Sequence, residues 1–122
     1  MEMISNEEKI TQAVLVSVDT GDYDAEASLA QLKELVKSAG AEPVFTVTQN
    51  LKRPETGTYV GTGKLQEIAD ICKQQEIDLL VFDCELSPTQ IRNIEAETDT
   101  RTIDRTMLIL DIFALRARSK EG

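Results

Sequence analysis

The chain has 122 residues, 41% of them hydrophobic and 29% charged, with a formal net charge of −9. That is one domain's worth of sequence with globular composition. It excludes a collagen-like or generically disordered chain, and the acidity argues against nonspecific coating of DNA. With no histidine and only two cysteines, Cys72 and Cys84, it has no His-based nucleophile or metal site and no disulfide framework.

Residues 1–12 are polar and aperiodic. Ser5-Asn6-Glu7-Glu8 has the spacing of a capping box, compatible with a short helical turn or a frayed tail. Ala13-Val14-Leu15-Val16-Ser17-Val18 reads as a buried strand, and Asp19-Thr20-Gly21-Asp22 as its exit turn. Asp24 or Asp22 can cap the helix that follows. Its apolar positions Leu29, Leu32, Leu35, Val36 and Ala39 recur at three- and four-residue steps, and Gly40 stands where a helix ends. A second strand is expected over Val44-Phe45-Thr46-Val47-Thr48.

Gln49 to Gly63 is the longest irregular segment, and long loops in small domains tend to carry function. Lys64 opens a helix with Leu65, Ile68, Ala69 and Cys72 on its apolar face; Cys72 there is buried filler. Leu79-Leu80-Val81-Phe82 is a third strand. Ser87-Pro88-Thr89-Gln90 combines an N-cap, a proline at the first helical position and a capping box. Thr100 to Asp104 forms a fourth, short strand, and a last helix starts near Thr106. This alternation specifies an α/β fold: a small, mostly parallel sheet of about four strands with helices on both faces.

The last helix is apolar over most of its circumference, from Met107 to Ala117, so it needs partners on more than one side. The chain is therefore expected to be cut from something longer. No apolar run approaches the roughly 20 residues of a membrane span, and Met1 to Ser5 lacks a secretory leader pattern. The expected location is the cytoplasm.

In open parallel sheets, ligands sit outside the C-terminal strand ends. Here those ends carry Asp19 and Asp83, weak candidates for a hard cation that more simply end strands and start turns. Gly61-Thr62-Gly63-Lys64 invites comparison with a phosphate-binding loop. Thr58 stands where the first P-loop glycine should be, and Leu65 replaces the Mg²⁺-binding hydroxyl, so it is not a Walker A motif. Glycines and a lysine at a helix N-terminus still suit an anion, either phosphate or RNA backbone. Lys52 and Arg53, with Tyr59 nearby, form a basic loop that can touch RNA through phosphates and stacking. Arg101, Asp104, Arg105 and Asp111 lie near one strand-to-helix junction, as an ion-pair network or an interdomain contact.

Several segments are familiar: Tyr59-Val60-Gly61-Thr62-Gly63-Lys64 leading into Glu67-Ile68, then Phe82-Asp83 with Leu86-Ser87-Pro88-Thr89-Gln90 and Arg92-Asn93. Most specific is Ile103-Asp104-Arg105-Thr106 running into Leu108 to Ala117, then Glu121-Gly122. Through these, residues 14–122 resemble the N-terminal domain of the HflX family of ribosome-associated GTPases. The resemblance implies a polar tail over 1–12, an α/β domain over 13–105, and over 106–122 the start of a helix leading toward a helical hairpin and a GTPase domain. GTP and Mg²⁺ would belong to that further domain, with no cofactor and no catalytic residue in these 122 residues.

The implied role is a binding and regulatory module. Its partners would be the large ribosomal subunit with its RNA and the protein's own GTPase domain, without DNA and without a membrane. Lys52, Arg53, Tyr59, Gly61, Gly63 and Lys64 are the RNA or phosphate candidates, and Arg105, Asp111, Phe113 and Arg116 the interdomain candidates. One alternative is an independent ATP- or nucleotide-binding domain using the Gly61–Lys64 turn. Another is self-association of the fragment through its apolar last helix.

Overall fold

The computed structural model describes the backbone of residues 10–121 and the side chains of residues 10–113. The expected capping box at Ser5 to Glu8 and the side chain of Arg116 lie outside the described residues. The elements run β1 (Thr11–Asp19), α1 (Ala25–Ser38), β2 (Ala41–Asn50), α2 (Thr62–Gln74), β3 (Leu79–Phe82), α3 (Pro88–Thr98), β4 (Arg101–Asp104) and α4 (Arg105–Glu121). All neighbouring strands pair in parallel, in the order β2-β1-β3-β4.

This order has a reversal in it. The chain steps from β1 to β2 in one direction, then returns past β1 to β3 and on to β4. With right-handed crossovers, the reversal sends α1 to one face and α2 and α3 to the other. Side-chain alternation along the strands feeds two cores accordingly. Val14, Val16, Val18, Leu80 and Phe82 pack with Leu65, Ile68 and Cys72 of α2 and Ile94 of α3. Ala13, Leu15, Leu79, Val81 and Ile103 pack with Leu32 and Val36 of α1 and Leu108 and Ile112 of α4. Burial on both faces is why β1 and β3 read as unbroken apolar runs rather than alternating ones.

Local signals set the helix ends. Asp24 caps α1, its side chain accepting the Ala27 N–H at 3.1 Å. Gly40 follows α1 at φ +90°, a left-handed conformation that favours glycine. Ser87 and Gln90 form the reciprocal capping box at α3. Several boundaries differ from expectation: β1 runs Thr11–Asp19 rather than Ala13 to Val18, taking Thr11 and Gln12 from the expected tail, and β4 begins at Arg101 rather than Thr100. Helix α2 begins at Thr62, two residues before Lys64, because Gly61 is its N-cap. Strand β2 spans Ala41–Asn50 rather than Val44 to Thr48, because pairing with the long β1 extends it at both ends. It is an edge strand with a bulge at Val44 next to Pro43, two devices that blunt an open edge.

Helix α4 packs on the sheet through Leu108 and Ile112, while Leu110 and Phe113 on its outer side are 61% and 65% exposed. No described helix is long and apolar enough to cross a membrane.

Candidate functional site

The loop joining β2 to α2 carries most of the expected binding residues. Glu55 and Tyr59 exchange backbone hydrogen bonds of 3.0 Å in each direction, closing a tight turn. Tyr59 sits at φ +68°, so the turn directs its side chain into the protein. The Tyr59 ring meets Phe82 edge-to-face at 6.2 Å, and its side chain lies beside the Cys84 thiol. Burial, then the Cys84 contact, raises the Tyr59 pKa. Burial also pushes the Cys84 thiol up to about 12, so it is a packed, protonated group rather than a nucleophile.

Helix α3 holds the loop from outside. The Gln90 side-chain amide donates to the Thr56 carbonyl at 3.2 Å and lies 3.4 Å from the Glu55 carbonyl. The Asn93 amide donates to the Gly57 carbonyl at 3.0 Å. The irregular segment is therefore tethered at three successive carbonyls. Lys52 and Arg53 project from it into solvent, and among the described residues neither has an acidic partner. Lys52 borders an open cleft of about 380 Å³ with Asp19, Thr20 and Asn50, at the C-terminal ends of β1 and β2.

The Gly61–Lys64 turn is already occupied by the protein itself. The Gly61 N–H donates to the Gln49 side chain at 2.9 Å, and Lys64 pairs with Glu67 at 3.1 Å. Gly63 has an ordinary helical backbone with no atom near the position a Cβ would take. In this arrangement the Gly61 amide is taken, Lys64 is paired with Glu67, and Leu65 is buried where a Walker A motif has its hydroxyl.

The topological reversal places Asp83 beside β1 and α1. Asp83 is only 6% exposed. Its Oδ2 accepts the Ser28 hydroxyl at 3.0 Å and lies 3.4 Å from the Tyr23 hydroxyl, while Oδ1 is buried without a partner. Arg105 reaches across from α4. Its guanidinium donates to the Ser28 hydroxyl at 2.9 Å, the Ser28 carbonyl at 3.0 Å and the Asp83 carbonyl at 3.3 Å. Asp19 accepts the Gly21 N–H at 2.9 Å, as a turn-forming aspartate does. No group of three or more His, Cys, Asp or Glu side chains placed to hold a metal ion occurs among the described residues.

The strand-to-helix junction resolves into separate contacts. Asp104 spends both carboxylate oxygens on backbone N–H groups, those of Leu86 and Met107. Arg101 and Asp111 lie 4.0 Å apart on the surface. Arg105 is spoken for within the domain, whereas Asp111 and Phe113 face outward on α4. The roles of Gln90, Asn93 and Gln49 escaped the sequence reading. The capping-box motif marked Gln90, but its second set of partners lies 34 and 35 residues away.

Fold and site together define a small doubly wound α/β domain with a tethered basic loop on an acidic body. Residues 26–114 match the family described as GTP-binding GTPase N-terminal, and the chain belongs to that family, the N-terminal domain of HflX-type GTPases. It is 50% identical over 122 residues to a GTPase HflX of Lacrimispora saccharolytica, matching 99% of this chain and 29% of that one. To the Escherichia coli GTPase HflX it is 47% identical over 112 residues, 91% of this chain and 26% of that one. The structure of a GTP-binding protein from the archaeon Sulfolobus solfataricus in complex with GDP superposes with TM-score 0.63 at 27% identity. That match covers 87% of this chain and 31% of the other. The chain thus spans less than a third of the relatives it matches.

Proposed function

We propose that this domain is the binding and regulatory N-terminal part of an HflX-like GTPase that associates with the large ribosomal subunit and acts in splitting or rescuing ribosomes. GTP and Mg²⁺ would be bound by the further domain of the whole protein, in the cytoplasm. The domain would contact ribosomal RNA through Lys52, Arg53 and Lys64, the last of which pairs with Glu67 in the structure. The outward face of α4, with Asp111 and Phe113, would meet the protein's own GTPase part.

One observation carries the RNA reading: two adjacent unpaired cations stand on a tethered loop of a chain with net charge −9. An acidic body repels phosphate everywhere else, so the footprint is small and local. The test is co-pelleting of the whole protein with purified large ribosomal subunits across a salt series, with and without Lys52→Gln and Arg53→Gln. The expected result is salt-sensitive binding that weakens in the double variant, with a log–log salt slope reduced by roughly 1 to 2 for two lost phosphate contacts. Unchanged affinity and slope would overturn the assignment.

A further inference from the structure

We propose that Gln90 and Asn93 are positioning residues for the basic loop: they hold it in one shape, so that Lys52 and Arg53 meet a compact turn of RNA backbone without having to order first. This rests on the RNA reading above and adds the means by which the loop is prepared for its partner.

Residues 90 and 93 are three apart on α3 and so share one face of the helix. That face is turned to the loop, where successive carbonyls of Glu55, Thr56 and Gly57 receive the two side-chain amides. Gln90 has a divided task. Its Oε1 accepts the Ser87 N–H at 2.9 Å and completes the cap, which leaves Nε2 free to donate to the loop. Asn93 is exposed and has no capping role, so its side-chain hydrogen bond to Gly57 is not a by-product of helix formation.

On the inner side, Tyr59 anchors the same turn against Phe82. The loop is thus gripped from two directions, and its cations are left outside the grip.

The physical consequence is a prepaid entropy cost. A slack loop loses backbone freedom when it binds, and that loss offsets part of the gain from two phosphate contacts. A pre-shaped loop does not. Two cations on a rigid frame suit closely spaced phosphates at a fold of the RNA, and not a long duplex that would bring its other phosphates against the acidic body.

The experiment uses the whole protein and the same co-pelleting assay. Four proteins are compared: the parent, Gln90→Ala with Asn93→Ala, Ser87→Ala, and Lys52→Gln with Arg53→Gln. Ser87→Ala breaks the cap without touching the loop, so it reports helix weakening alone. We expect the Gln90/Asn93 variant to bind about ten-fold more weakly while Ser87→Ala binds like the parent. Amide exchange at Glu55 and Tyr59 should also accelerate in the Gln90/Asn93 variant, with the β1 amides unchanged.

Parent-like binding by the Gln90/Asn93 variant, with binding lost in the Lys52/Arg53 variant, overturns the positioning role and leaves the RNA reading standing. Equal weakening in the Gln90/Asn93 and Ser87 variants overturns it too, because helix stability then explains the effect. Parent-like binding by the Lys52/Arg53 variant overturns the RNA reading, and the positioning role with it.

Discussion

Asp104 accepts the Leu86 N–H at 2.9 Å across 18 residues of chain, and its second oxygen accepts the Met107 N–H at the same distance. One carboxylate therefore caps α4 and pins the segment leaving β3, and it does so while only 3% exposed. Asp104→Ala removes a helix cap and leaves a buried N–H unpaired. The two losses together should destabilise the domain by about 2–4 kcal/mol. Asp104→Asn, which keeps one acceptor oxygen, should cost about half as much. Urea denaturation measures both; a neutral Asp104→Ala would show that water replaces the carboxylate at no cost.

Arg105 connects three elements through one guanidinium, touching Ser28 on α1 and the end of β3. A lysine carries the same charge but a single donor point, so it cannot reach the hydroxyl and both carbonyls together. Arg105→Lys should therefore lower stability by about 1–2 kcal/mol. Parent-like unfolding would mean that the charge matters and the fork does not.

Four groups give the domain an alkaline limit. Burial raises the pKa of Cys72, Tyr23 and Tyr59 and pushes Cys84 up to about 12. In the unfolded chain thiols ionise near 8.5 and tyrosines near 10. Between those values and the raised ones the native state binds more protons than the unfolded state, so stability is complete below about pH 8 and falls as pH rises. Melting temperature measured from pH 7 to 11 should drop above about pH 9, and less steeply in Cys84→Ala. A flat profile would contradict the burial of these groups.

Gly40 follows α1 at φ +90° with open space where a Cβ would be. The cost of a side chain there is purely conformational. Gly40→Ala should destabilise by about 1 kcal/mol, and Gly40→Asn by less, because asparagine tolerates the left-handed region. Equal losses in the two variants would point to a steric cause that the open space argues against.

Much of the fold was legible because its signals are local. The valine-rich run at Ala13 to Val18, the Ser87-Pro88-Thr89-Gln90 cap and Gly40 each act within a few residues, and each stands where its chemistry places it. The ends of β2 were less legible, since β1 sets them by pairing. Among the candidate site residues, Lys52 and Arg53 are free as their loop context suggested. Tyr59 had the look of an open stacking ring and is instead turned inward onto Phe82, because its positive φ reverses the chain there. The turn of α2 places Glu67 beside Lys64, a neighbour three residues on whose charge the loop context alone does not weigh.

The sequence by itself determined the alternation of strands and helices, the two apolar faces of the buried strands and the caps that start the helices. Those follow from periodicity and from interactions one helical turn long. Tertiary structure alone decided the order β2-β1-β3-β4, the grip of Gln90 and Asn93 on a loop 34–36 residues away, and the two-handed use of Asp104. Hydrogen bonds of that kind depend on which surfaces the packed sheet brings within 3 Å or so. No spacing along the chain encodes that distance.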